Sequence, residues 1–257
     1  MNLIDTHTHL YLDDFNKDID EVIRRAEGEG VSQFLLPAID SAVTEDMFVL
    51  ERKFPGKCLA MAGLHPCSVK TNYTEELQKV QEMLEKRKFV AIGETGLDFY
   101  WDKTFTREQY ESLKMQAEWA IHYDLPLVLH TRNAIQETIE VVKLYKGRGL
   151  KGVFHCFSGT IENAREIIDQ NFLLGIGGVI TYKNSGLAEV IKHVPMASIL
   201  LETDAPYLTP VPFRGKRNES SYLIYIAKKI AEVKNMEIKE IAAQTSSNAV
   251  QLFNLPG

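Results

Sequence analysis

The 257-residue sequence predicts a single (β/α)8 TIM barrel over residues 1–257, with its working face at the C-terminal ends of the strands. Three observations carry this. Eight apolar runs of strand length alternate with longer helical patterns. The runs are nearly continuous in Val, Ile, Leu, Phe and Ala, as strands covered on both faces should be. Histidines and carboxylates close several of these runs, nearly always on the C-terminal side.

The runs start near Asn2, Val31, Lys57, Lys88, Pro126, Lys151, Phe172 and Ser198. They lie 21 to 38 residues apart, the spacing of successive strand–helix units. After the first run, Ile19, Val22, Ile23 and Ala26 fall at i, i+3, i+4 and i+7, one face of a helix. After the fourth, a long helix runs from Thr106 to about Tyr123, with Thr106 as its expected cap. After the eighth, Pro210, Pro212 and Gly215 mark an ordered loop. Helices over about Asn218 to Val233 and Ile238 to Phe253 close the chain. No Gly/Ser linker, low-complexity tract or fixed-period repeat divides it. A doubly wound open sheet is the rival fold, but no G-x-G-x-x-G follows the first run.

Composition narrows the function classes. A net charge of −6 argues against a general polyanion-coating role, yet leaves room for an enzyme that grips a few phosphates. Three cysteines, Cys58, Cys67 and Cys156, without a C-x-x-C, point to a reducing compartment and no disulfide framework. The N-terminus lacks a basic segment followed by an apolar one, and no apolar stretch reaches membrane-spanning length. The expectation is a soluble cytoplasmic protein with no membrane partner and no obligate protein partner.

The chemistry-bearing residues form a pattern. His7 and His9 close the first run, two residues apart, so that on a strand both imidazoles share a face. Asp5 shares that parity and is expected one layer deeper, supporting the ligands rather than joining them. Glu94, His130, His155 and Asp204 come from the fourth, fifth, sixth and eighth runs, and converge only if the sheet closes into a ring. Four imidazoles and two carboxylates exceed the three protein ligands of one catalytic zinc. They suit two divalent ions with Glu94 between them. The mixed donor set favours zinc, manganese or iron; magnesium, which prefers oxygen and water, matches less well. Glu202 shares parity with Asp204 and is expected beneath it in the supporting layer. His122 and His193 fall at helix ends, where partial charge suits the dipole, and are set aside. Cys156 has the opposite parity to His155 and is read as a buried thiol.

These residues sit in longer strings: Asp5-Thr6-His7-Thr8-His9-Leu10, Gly63-Leu64-His65-Pro66, Ile92-Gly93-Glu94-Thr95-Gly96-Leu97-Asp98-Phe99-Tyr100, Leu129-His130-Thr131-Arg132 and His155-Cys156-Phe157-Ser158-Gly159. Glu202-Thr203-Asp204-Ala205-Pro206-Tyr207-Leu208-Thr209-Pro210 then runs into Arg214-Gly215-Lys216-Arg217-Asn218-Glu219. In order and over essentially the whole chain they resemble the TatD family of metal-dependent deoxyribonucleases, a branch of the amidohydrolase-like barrels. The resemblance implies a TIM barrel, two divalent metals and hydrolase activity, with 3′→5′ exonuclease action on DNA. It suggests His7, His9, Glu94, His130, His155 and Asp204 as ligands, Glu94 standing where many amidohydrolases carry a carboxylated lysine. The family usually continues Asn-Glu-Pro; this chain has Asn218-Glu219-Ser220, a change expected to touch only the start of the following helix.

The expected reaction is attack of water on a phosphodiester phosphorus, assisted by ions that lower the water's pKa and neutralise phosphoryl charge. Asp204 is expected to orient and deprotonate that water, and Glu94 to fix the metal spacing. His65 is assigned to a substrate phosphate or to protonation of the leaving group. Arg132 and Arg214 are the expected phosphate contacts, while Lys216 and Arg217 read as a solvated run. Tyr100, with Trp101, Phe157 and Tyr207, flanks the same mouth and offers faces for unpaired bases; Phe99 reads as packing. Two other functions compete. One is hydrolysis of a different bond on the same scaffold, as in an amidohydrolase or a deacylase of mischarged aminoacyl-tRNA. The other is a non-catalytic binding barrel, whose usual sign, a lost ligand, is missing here.

Overall fold

The computed structural model describes residues 1–255. Eight strands are followed in turn by helices: β1 (Leu3–Asp5), α1 (Ile19–Gly28), β2 (Val31–Leu36), α2 (Thr44–Lys53), β3 (Cys58–Ala60), α3 (Tyr73–Lys86), β4 (Ile92–Asp98), α4 (Thr106–His122). Then come β5 (Leu127–Arg132), α5 (Ile135–Lys143), β6 (Gly152–Phe154), α6 (Ile161–Asp169), β7 (Phe172–Ile176), α7 (Leu187–His193), β8 (Ile199–Leu201), α8 (Leu223–Lys234) and α9 (Ile238–Phe253). All pairings are parallel, in two ladders, β1-β2-β3 and β4-β5-β6-β7-β8. Two thin seams close the ring. Ala62 bridges to Ile92 between β3 and β4, and Thr6 N donates to Leu201 O at 3.0 Å between β1 and β8. The fold is a (β/α)8 barrel.

Side-chain alternation sorts the strands' two faces. Leu3, Phe34, Leu36, Ile92, Leu129, Phe154, Leu174 and Leu201 pack into the large core shared with the helices. Ile4, Leu35, Met61, Ala91, Val128, Val153, Leu173 and Leu200, one from each successive strand or its lead-in, fill the barrel's inside. Beneath that layer Leu252 and Phe253 of α9, with Leu255, plug the N-terminal end. Two residues above it, on the same face, come His130, His155 and Glu202. The interior layer therefore serves as the floor of the site.

Three expectations about elements change. Strand β4 begins at Ile92 rather than near Lys88, because Phe89–Ala91 make only scattered backbone contacts before the ladder starts. It also runs past Glu94 to Asp98. Thr106 does not cap α4: Phe105 holds the cap position, and the Thr106 hydroxyl donates to Lys103 O at 2.8 Å. The helix expected from Asn218 begins at Leu223, after a 3-10 turn over Ser220–Tyr222. Among the described residues no helix is long and apolar enough to cross a membrane.

Candidate metal centre

The barrel mouth gathers the six expected ligands. Glu94 and His130 stand within β4 and β5, His155 directly follows β6, and Asp204 lies three residues beyond β8. His7 and His9 lie past the end of β1, where the chain has already left strand geometry. Glu94 is central and buried. Its Oε2 lies 3.1 Å from His7 Nε2 and 3.7 Å from His9 Nε2. Its Oε1 lies 2.9 Å from His130 Nδ1, 3.5 Å from His65 Nε2 and 3.9 Å from His155 Nε2. Asp204 Oδ1 is 3.5, 3.8 and 3.9 Å from the Nε2 atoms of His9, His155 and His7. One carboxylate thus faces two groups of donors with its two oxygens.

The outer nitrogen of each imidazole sets its tautomer. Tyr11 Oη donates to Pro37 O at 2.6 Å, so its lone pair receives His9 Nδ1 at 3.0 Å and leaves His9 Nε2 bare. His130 Nε2 meets Asp98 Oδ2 at 2.8 Å, which leaves Nδ1 for the centre. His155 Nδ1 faces Glu202 Oε1 at 2.9 Å without hydrogen-bond geometry, and its Nε2 faces the centre. His65 differs: its Nδ1 accepts from Cys67 N at 3.0 Å. A neutral imidazole that accepts at Nδ1 carries its proton on Nε2. His65 therefore presents a donor, not a ligand lone pair, to the centre. His7 is buried and stacked on His155 at 3.4 Å, and neither of its ring nitrogens has a hydrogen-bond partner. Leaving buried polar atoms unpartnered is costly unless something else satisfies them. A divalent ion would satisfy Nε2, and the mixed imidazole and carboxylate donors fit such an ion.

Charge in the cluster is strongly coupled. Burial works against ionisation of Glu94, but His7, His65, His155 and the His130 hydrogen bond hold it well below the usual carboxylate range. Burial likewise opposes ionisation of Asp204, and His9, His155 and His7 overcome it. Burial, then His155, lowers His7. Burial would lower His155 too, yet Glu202 and Glu94 push it up to about 10.

The supporting residues are partly as expected from the strand pattern and partly not. Glu202 lies inside, bonded by Cys156 N at 2.6 Å, and Gly175 makes room for it: a Cβ there would come within 2.1 Å of Glu202 Oε2. Asp5 does not sit beneath His7 inside the barrel. It shares the helix-facing side with Leu3, because strand alternation stops before His7 is reached. There it accepts from Thr203 N at 2.9 Å, Thr203 Oγ1 at 2.6 Å and Ser220 Oγ at 2.6 Å, so it holds backbone next to Asp204. Ser220 is thus more than a helix-start residue. Cys156 is partly exposed rather than buried, while Phe157 is fully buried and belongs to the core. Asp98 and Tyr11 were missed. Asp98 continues the β4 alternation 94-96-98, whereas Tyr11 follows the histidines in a segment that is no longer strand, and neither is of a type that marks it as a ligand in this pattern.

Around the mouth, Arg132 lies over the Tyr100 ring at 3.9 Å and Arg214 over Tyr182 at 4.2 Å. Arg217 is not solvated: it pairs with Asp18 at 2.7 and 2.8 Å and lies over Phe15 at 4.6 Å. Arg214, Lys216, Tyr182 and Tyr207 line a cleft of about 580 Å³ that begins beside Pro206, two residues from Asp204.

A family profile described as TatD related DNase matches residues 4–254. The chain is 40% identical to the uncharacterized metal-dependent hydrolase YabD of Bacillus subtilis, over 98% of this chain and 99% of that protein. It is 33% identical to the 3′-5′ ssDNA/RNA exonuclease TatD of Erwinia tasmaniensis, over 98% of this chain and 100% of that protein. Among solved structures, YjjV, a TatD homolog from Escherichia coli K12, superposes with a TM-score of 0.93 at 32% identity, covering 99% of this chain and 98% of that one.

Proposed function

The chain belongs to the TatD-related DNase family of metal-dependent hydrolases, and on that premise we propose that it hydrolyses phosphodiester bonds of DNA, or of another nucleic acid, with two divalent ions. His7, His9, Glu94 and Asp204 would hold one ion, and Glu94, His130 and His155 the other. The observation that carries this reading is Glu94, whose two oxygens face separate sets of imidazole nitrogens. When bound, the ions supply Lewis acidity, which makes water more acidic and offsets charge on phosphoryl oxygens. Asp204 is the carboxylate open to solvent, 14% exposed against 2% for Glu94, and the imidazoles of His9, His155 and His7 favour its carboxylate form against burial, so it would orient water and take its proton. His65, with a proton on Nε2, would hand one to a leaving oxygen, a role supported by its Nδ1 contact with Cys67 N and by its 3.5 Å distance from Glu94. Arg132 and Arg214 are available for phosphate, which favours a phosphodiester over an uncharged ester or amide. Exonucleolytic action from the 3′ end follows the named activity of the Erwinia relative.

The test is hydrolysis of single- and double-stranded oligonucleotides labelled at either end, in zinc, manganese, iron or magnesium, beside ester and amide substrates. The expected result is metal-dependent release of mononucleotides, abolished by a chelator and by Asp204→Asn. Turnover only of esters or amides, or full activity in D204N, would contradict the reading.

A further inference from the structure

β4 ends at Asp98, and the Phe99-Tyr100-Trp101 corner that follows is pinned by several hydrogen bonds. Asp98 is buried. Its Oδ2 holds His130, while its Oδ1 accepts from Tyr100 N at 2.9 Å and from Trp101 N at 3.0 Å. Phe99 N donates to Arg132 O at 2.9 Å, continuing the β4–β5 register. One carboxylate therefore positions both a centre imidazole and the backbone that presents two aromatic rings.

Those rings are open. Tyr100 is 52% and Trp101 67% exposed, and they meet edge to face at 4.9 Å. The Arg132 guanidinium lies 3.9 Å from the Tyr100 ring centre and 5.1 Å from that of Trp101. Among the described residues it forms no ion pair, whereas Arg25, Arg148 and Arg217 are all paired with carboxylates. Its N–H donors are unspent. A flat apolar face beside an unpaired guanidinium, fixed next to a hydrolytic centre, matches a planar, hydrogen-bonding ring on an anionic backbone. An unpaired base can present its face; within a duplex, stacking covers it on both sides.

Resting on the phosphodiester reading above, we propose that Tyr100, Trp101 and Arg132 form a stacking site for one unpaired nucleobase of the substrate. The chain has two tryptophans, and the other, Trp119, is half-buried on α4. Trp101 fluorescence is therefore a direct reporter. The metal-loaded protein is titrated with a phosphorothioate-linked single strand, the same sequence as a duplex, and an abasic strand of equal length and charge. Saturable quenching by the single strand is expected, with the duplex and the abasic strand binding about tenfold more weakly or worse. Quenching should vanish in Trp101→Leu, checked for folding by circular dichroism. Equal quenching by the abasic strand would overturn base stacking in favour of phosphate contact. Equal quenching by the duplex would overturn recognition of an unpaired base. Absence of quenching by a strand that the protein hydrolyses would overturn the site while leaving the proposed function standing. Quenching by a protein that hydrolyses no nucleic acid would support the site and instead overturn that function.

Discussion

Asp98→Asn tests how the centre is oriented. Asn keeps one carbonyl oxygen, which can still accept from Tyr100 N and Trp101 N, so the corner stays in place. Its amide group then faces His130 Nε2 across the 2.8 Å contact. Two donors cannot share that contact, so His130 must accept there and move its proton to Nδ1, the nitrogen turned toward Glu94. The ligand lone pair is lost without any ligand being mutated. Replacing such partners typically costs about 10–100-fold in metal affinity, about 1.4–2.7 kcal/mol. That range overlaps the roughly 1.5–3 kcal/mol of one hydrogen bond to a charged group. The assay is competition with a chromophoric chelator, with metal stoichiometry read separately and circular dichroism as the control for folding. One ion should weaken and the other should stay. Unchanged affinity for both ions in a folded D98N protein would refute the tautomer argument.

Other outcomes follow from neighbouring contacts. Ser220→Ala removes one of the donors to buried Asp5 and should cost about 1–3 kcal/mol in urea unfolding. Asp18 is held below the usual carboxylate range by its hydrogen bond to Arg217, and Glu219, despite burial, by Arg25. Their stabilisation is complete above the unfolded carboxylate pKa of about 4 and is lost as pH falls through the lower folded values. Arg217→Ala should therefore reduce the drop in urea midpoint between neutral and acid pH; an undiminished drop counts against the network. Gly175→Ala drives Glu202 away from His155 and should weaken metal retention, read by metal content after dialysis. Chelation should lower the melting temperature, since ions that bind only the folded chain stabilise it; an unchanged midpoint after verified metal removal would oppose this.

Much of this architecture is legible in the residues. Periodicity marks the strands because buried parallel strands must be apolar throughout, and α9 is legible over its whole span from Ile238 to Phe253. Ligand residue types at strand ends are equally visible. What escapes is whatever depends on where regular geometry stops. Alternation predicts Asp5 beneath His7, but the backbone turns after Asp5 and sends the two to different sides. Phe157 is read at the mouth from its neighbours, whereas the backbone, with positive φ at Cys156, carries it into the core. Asp98 obeys the alternation of β4, whereas Tyr11 lies where strand geometry has ended. Residue type does not mark either one, because a hydrogen-bond partner is defined by the atom it meets: His130 of β5 for Asp98, and His9 with Pro37 O for Tyr11.

The ring of strands is two ladders joined outside their regular pairing, by the backbone bonds of Val90, Ala62 and Gly93 on one side and by those of Thr6, Asp204 and His9 on the other. Glu94 stands on the strand beside the first seam. His7, His9 and Asp204 flank the second. The same cluster proposed for chemistry therefore spans both joints of the cylinder, and ions held there would act as rivets. Such ions would add to the backbone bonds that already close the barrel, so a chain that has lost them would be a less stable cylinder as well as an idle one.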